Sequence, residues 1–470
     1  IIINIILITI ILPCIIVATV TINIITLPCS IQREFLSKQA ASTSASSWSV
    51  LGPIQVIQNN GIPGNGQSNI YAVDQCVSNP AIMYCGTEPG EVFKSIDGGE
   101  TWSCVSLSMN FGSGVTAVEV NPNNDDIVFA GGNAGIFRST DGGNTWSNVL
   151  ANSNFGVNEI LINTGNEQIV MAATDRGLYR STDGGTTWTQ LYNQKTYDIK
   201  WNALDASIAY MVKNNPSLVI CEFYLSTDSG ATWSLQSSGW YSSNDPARND
   251  GGARLGVSPA DPNSVYAYLI GEAKANDYGF IGVYRSDDGG YTWSLPNGPA
   301  GGPYTATHPN LAYGNTGWTY HQGFYNCAIM VDENNADRIL IGGLNLWRSN
   351  NGGASFSSVA GYVGGPLNIH VDMQDFRIIN GVSWISTDGG IYKSDDFYGS
   401  QPPFKMAGVR AADYWGFGSG WNEDVLVGDV TVMVQSSHQY VFVPSTAKTP
   451  IIGCANTSHF EGGLRPIEVV

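Results

Sequence analysis

The chain has 470 residues, of which 55 are Gly, 21 Pro and 51 aromatic, while only 60 are charged. A charged share of 13%, about half the usual ~25%, excludes a coiled coil, a solvated helical bundle and a charge-rich disordered tail, and 43% hydrophobic residues exclude wholesale disorder. The net charge of −18, with no Lys/Arg cluster longer than two residues, argues against nucleic acid as a partner and fits an extracellular protein or a cation binder. Aromatics set among many glycines suit short strands joined by tight turns, so an all-β fold is expected.

In chain order, the first 28 residues carry no charge and exceed the ~20 needed to span a bilayer. They have no initiator Met and no basic n-region, and Asn, Thr and Pro are scattered through them. Their Ile, Asn and Thr content resembles AT-rich DNA translated upstream of a start, a reading preferred over a degenerate export signal or an anchor. Residues 1–29 are therefore set outside the fold, and a membrane is a partner only if that segment is genuine. Residues 30–47 read as a linker.

From there one repeat dominates: SIDGGETW (95–102), STDGGNTW (139–146), STDGGTTW (181–188), STDSGATW (226–233) and SDDGGYTW (286–293), with degenerate copies SNNGGASF (349–356) and SDDF from Ser394. The first serines lie 44, 42, 45, 60, 63 and 45 residues apart, close to the ~40–45 residues of a four-stranded propeller blade. Alternating segments such as GIFRS, GLYRS and GVYRS precede the boxes, as strands should. In each box a carboxylate (Asp97, Asp141, Asp183, Asp228, Asp288) is expected to accept backbone N–H bonds. The glycines supply left-handed φ, and a ring (Trp102, Trp146, Trp188, Trp233, Trp293) fills the space between blades. One or two acids per box fall short of a 6–8-oxygen calcium shell, so the boxes read as structural.

The eight cysteines lack zinc spacing. Cys76, Cys85 and Cys104 are near enough in sequence for a local bridge, but buried free thiols are the preferred reading. No metal and no cofactor are expected.

These repeats are Asp-boxes, as in sialidases, sortilin-type receptor domains and xyloglucan-degrading glycosidases. The run WSVLGP (48–53), the segment 318–349, and NIHVDMQDF with STDGGIYKS (368–394) resemble sortilin-like propellers that Bacteroidetes secrete by the type IX route. The resemblance covers residues 48–428 and implies a propeller of about seven recognisable blades, in one ring or within a larger or second one.

The two long repeats carry insertions in which Trp240, Tyr241, Trp318, Tyr320, His321, Phe324 and Tyr325 are candidates for stacking on a ligand. His370 and Asp372 share a strand face with Gln374; the resemblance implies a His-x-Asp-x-His pattern here, and Gln374 in its last place weakens a metal reading. By the same resemblance Asp388 in STDGGIY matches the stretch that carries a catalytic acid in xyloglucan-degrading enzymes, and Asp175 in ATDRGLY is a weaker relative. Both also suit ordinary turns. Sialidase chemistry is disfavoured, because most arginines sit just before a box.

After 428 the resemblance stops. Codons for Gly-Gly-Arg-Tyr-Arg-Asn-Gly, close to what relatives carry there, read with one base deleted as the Gly-Asp-Val-Thr-Val-Met-Val of 428–434, so residues 429–470 are expected to be a frameshifted tail. The expectation is a secreted or cell-surface, monomeric, non-catalytic propeller that binds a glycan or protein ligand. The alternative is a polysaccharide hydrolase using Asp388.

Overall fold

A computed structural model describes residues 69–409, apart from 108, 113, 152–154, 217–219, 242–249, 272–279, 297–310, 312–324, 404 and 406–408. It also gives four strands at 48–50, 416–419, 426–430 and 438–444. Each repeat folds as an antiparallel meander. In blade 1 the strands are Ile70–Gln75, Met83–Thr87, Val92–Ser95 and Ser103–Cys104, paired in chain order. The first strands of blades 2 to 7 are Val115–Val120, Val157–Ile162, Thr196–Trp201, Asp250–Val257, Ala328–Asp332 and Met373–Ile379.

Consecutive first strands touch all the way round, and that of blade 7 packs on that of blade 1, so seven blades close one ring about a central channel. Blades 5 and 7 have three continuous strands. Short stretches complete them: Arg285 and Ser294 exchange backbone bonds in blade 5, and Lys393 and Ile391 bond to Pro403 and Lys405 in blade 7. A separate four-stranded sheet pairs 48–50 with 438–444, which continues to 426–430 and 416–419. No helix occurs among the described residues, and none is long and apolar enough to cross a membrane.

The boxes behave as their composition requires. In the five regular copies the carboxylate accepts the backbone N–H of the Thr four residues on, at 2.8 Å each time. The same Thr's hydroxyl donates to the other oxygen at 2.6–2.7 Å. Asn351 performs this role in the sixth box and Asp396 in the seventh, where Phe397 and Tyr398 (φ 57° and 59°) take the left-handed positions that glycines fill in the other boxes, apart from Ser229 (φ 56°) in the fourth. Each box ring packs back onto the preceding blade. Trp146 donates to the Val105 carbonyl of blade 1, Trp293 meets Phe223 of blade 4 at 4.7 Å, and Trp102 donates to the Lys405 carbonyl of blade 7, sealing the ring. Cys76, Cys85, Cys104 and Cys327 are free thiols, all but Cys104 buried, so no local bridge links the first three.

Candidate functional site

The first strand of each blade has no strand on its axis side, so its inward N–H groups need other partners. Carboxylates from neighbouring first strands supply them. Asp74 accepts from Val120 N at 2.6 Å, Glu119 from Ile162 N at 2.8 Å, Asp198 from Leu255 N at 2.7 Å, and Asp375 from Val73 N at 3.3 Å. In six blades a β-bulge near the start of the first strand sets this phase.

Among the described residues one ion pair crosses the channel. Arg377 of blade 7 donates to Glu159 of blade 3 at 2.6 Å and lies 3.2 Å from Asp375, while Lys200 of blade 4 donates to Glu159 at 2.8 Å. Burial alone would raise the Glu159 carboxyl, but Arg377 and Lys200 hold it down at about 2. Burial lifts Asp74 to about 6 against the pull of Arg377, and burial with Asp74 nearby lifts Glu119 well above the carboxylate range. Part of this charged belt, Glu159, Asp375 and Arg377, lines a cup of about 570 Å³ at the end of the ring opposite the boxes. Tyr71, Glu88, Thr116, Asn133, Asn158 and Tyr325 wall it, and Arg254, Glu159, Asp375 and Arg377 lie at its base.

The seam between blades 7 and 1 forms one side of this cup. Asp388, in the turn between the second and third strands of blade 7, accepts from Gln374 Nε2 at 2.7 Å and from the Tyr325 hydroxyl at 3.1 Å to both oxygens. The Tyr325 and Tyr71 rings meet edge to face, 5.8 Å apart. Asn69 donates to the Tyr325 oxygen at 3.4 Å and to Glu88. Behind them Asp372, in a left-handed conformation (φ 61°), accepts from Asn326 at 2.6 Å. Burial, then the Asp372 charge, pushes Asp388 well above the usual carboxylate range, and burial lifts Asp372 to about 7. Chemically the seam offers protonatable carboxyls bonded to a phenol hydroxyl and an amide, those of Tyr325 and Gln374, that line the cavity.

The candidate residues meet different fates. Asp388, Asp372 and Tyr325 come together at the seam. His370 is buried, with its ring against Gly389, where an added Cβ would lie 2.3 Å from it. Asp175 sits on blade 3, paired with Lys195 at 2.9 Å and bonded to Asn158 at 3.2 Å, so Asp388 and Asp175 do not share one set of partners. Trp240 and Tyr241 are core residues and offer no free face for stacking: Trp240 donates to the Cys221 carbonyl and packs 4.8 Å from Trp293, and Tyr241 is 7% exposed. Trp318, Tyr320, His321 and Phe324 lie outside the described residues. Sequence reasoning missed Tyr71, Glu88, Glu159, Arg254 and Arg377. The available clue was a lone charge at alternate positions of otherwise apolar first strands, as in AVDQ, NEILI and DFRII. Among the described residues no group of three or more His, Cys, Asp or Glu is disposed to hold a metal ion.

Residues 90–222 match the Sortilin-Vps10 family (sortilin, neurotensin receptor 3), and residues 284–295 match the BNR/Asp-box repeat. No curated protein matches the chain. Among solved structures, the GH74 xyloglucanase of Xanthomonas campestris is similar with a TM-score of 0.57 and 13% identity, over 82% of this chain and 59% of that one. An ancestral GH74 enzyme gives 0.54 and 17% over 83% of this chain and 54% of that one. The chain thus spans somewhat over half the length of either enzyme, and the likeness is one of fold. PorZ, a bacterial surface component of the type-IX secretion system of Porphyromonas gingivalis, is similar at a TM-score of 0.46 and 12% identity, over 82% of this chain and 43% of that one. With its closed ring, its repeated boxes and these matches, the chain is a seven-bladed Asp-box β-propeller similar to the sortilin-Vps10 propellers.

Proposed function

We propose that the chain is a non-catalytic binding propeller, secreted or displayed at the cell surface, that receives a glycan or protein ligand in the cup at the mouth of its channel. The observation that carries this reading is the cup itself: a cavity of about 570 Å³ lined by the Arg377–Glu159 pair and by side chains that offer both hydrogen bonds and ring faces. Hydrolysis of a glycosidic bond needs two carboxyls set on either side of it, ~5–9.5 Å apart. Asp388 has Asp372 behind it within the same blade, and Asp175 is engaged by Lys195 on blade 3. The two acids singled out by the glycosidase resemblance are thus engaged by different partners.

One observation favours the hydrolase alternative: Asp388 has the raised pKa that a general acid needs, and its partners Tyr325 and Gln374 line the cavity. A glycan-array screen run beside a reducing-sugar assay on the same panel separates the two. Binding without turnover is expected, and turnover that Asp388→Asn abolishes would defeat the proposal.

A further inference from the structure

The cations gathered around Glu159 are not equally matched. Arg377 donates to Glu159 at 2.6 Å and lies 3.2 Å from Asp375, and Lys200 lies 2.8 Å from Glu159 and 3.5 Å from Asp198. Arg254 is the third. Its Nη1 donates to the Tyr197 carbonyl, and among the described residues it makes no other hydrogen bond and no ion pair. The acids nearest to it are already engaged: Glu159 by Arg377 and Lys200, Asp375 by Arg377 and the Val73 N–H, Asp198 by the Leu255 and Ile199 N–H groups. Arg254 lines the cup, so a guanidinium with most of its N–H donors unused borders the cavity.

We propose that Arg254 anchors the ligand of the cup by taking the carboxylate of a uronic acid residue that ends an otherwise neutral glycan. The proposal rests on the binding reading above and adds the ligand's chemistry. A planar guanidinium takes both oxygens of a carboxylate through parallel N–H bonds, and of the two guanidinium groups in the lining only that of Arg254 lacks an acid. The rest of the lining suits the rest of a sugar: the amides of Asn158 and Gln374, the Thr116 hydroxyl, and the rings of Tyr71 and Tyr325. The formal charge of −18, with Glu88, Glu159 and Asp375 in the same lining, opposes a polyanion. A single carboxylate on a neutral chain meets the guanidinium that lacks an acid and leaves the resident acids with the partners they have.

The position of the guanidinium is set before any ligand arrives. Arg254 stands on the first strand of blade 5, paired with Tyr268 on the second, and its bond to the Tyr197 carbonyl ties its head to the first strand of blade 4. The long side chain therefore has little freedom left to lose on binding, which favours affinity from few contacts. A carboxyl terminus of a peptide offers the same charge without the hydroxyls that the amides could engage, and serves as the contrasting arm of the test.

The test is a glycan array probed with the whole chain, on which each glycan ending in a uronic acid stands beside its methyl ester, its neutral hexose counterpart and a set of peptides with free carboxyl termini. Calorimetry of the strongest hit follows. Acid-terminated glycans are expected to bind, and esterification to weaken binding by at least about tenfold. Arg254→Gln is expected to weaken it by a similar factor with an unchanged circular dichroism spectrum, and Arg254→Lys, which keeps the charge but not the paired donors, by less. No acid-terminated hit, equal binding of the esters, binding of the peptides alone, or full affinity in Arg254→Gln overturns the proposal. Should Arg254→Gln fail to fold, the contrast between acid and ester on the native chain decides alone. Thr116→Trp, which fills the cup, separates this proposal from the reading beneath it. A ligand that still binds this variant overturns the cup as the binding site. A neutral glycan lost on filling but indifferent to Arg254→Gln overturns only the carboxylate.

Discussion

Asp97 and Asp388 stand at opposite ends of their blades and show one functional group under two regimes. Asp97 lies almost wholly in water, and donors from Thr101 and Ser95 hold its carboxyl at about 2. Asp388 also receives hydrogen bonds, from Gln374 and Tyr325, yet burial and then the neighbouring Asp372 push it well above the usual range. In the open box, local donors decide the ionisation; at the cup, desolvation and a like charge outweigh them. The first arrangement repeats because its partners lie within four residues of the carboxylate, whereas the second occurs once because its partners come from distant parts of the chain.

Four measurements test this contrast between a locally satisfied end and a globally assembled one. The largest effect is expected from Arg377→Ala, which leaves Glu159 and Asp375 without the guanidinium that lies between them. A loss of about 3–5 kcal/mol in denaturant unfolding is expected, and a loss below about 1 kcal/mol would mean the channel acids are not held by that residue. Next comes Gly389→Ala, whose new methyl would stand 2.3 Å from the His370 ring. A cost of about 2 kcal/mol is expected, with cup binding impaired as well; an unchanged melting temperature would show that the seam yields freely.

The third measurement follows pH. The Asp74 carboxyl is raised in the fold to about 6 from an ordinary 3.8, so the folded chain holds the extra proton. Its contribution is therefore full below the ordinary value and is lost as pH rises through about 6. Asp74→Asn should flatten that decline by on the order of 1 kcal/mol in melting profiles, and an unaltered profile would remove Asp74 from the account. Box carboxylates act in the opposite sense: Asp97 and Asp183, lowered to about 2, favour the fold above the ordinary value and lose that effect as pH falls towards about 2. Smallest of all, Asp183→Ala deletes an exposed box carboxylate and should cost less than about 1 kcal/mol. A larger loss would show that the boxes carry more of the ring's stability than their exposure suggests.

The ring was legible in the sequence because its grammar is local. Ser, Asp, two glycines and Trp in eight positions, spaced by one blade's length, specify both the corner and the plug, and even SDDF at Ser394 announced a seventh copy. That copy works with Phe397 and Tyr398 in place of glycines because the Ser394 and Asp396 side chains still hold the turn. The cup was legible only in fragments. Asp388, Asp372 and Tyr325 stood out individually. Their neighbours Glu88 and Tyr71, and the pair Arg377–Glu159, separated by 218 residues, become neighbours only after the ring closes. Trp240 and Tyr241 mislead for a related reason: aromatics in an insertion look like a binding surface until the insertion folds back to bury them between blades 4 and 5.

The seam between blades 7 and 1 has a consequence in time as well as in space. Blade 1 leads the ring and blade 7 is made last, and they join through side chains and packing, including Trp102 on the Lys405 carbonyl, 303 residues away. Contacts of such sequence separation form late, because their loop-closure entropy must be met before they contribute anything. A chain arrested with six blades formed could have almost all its boxes intact and yet no cup. On the binding reading proposed above, ligand uptake would report completion of folding, a stage that box-sensitive probes such as tryptophan fluorescence would pass over.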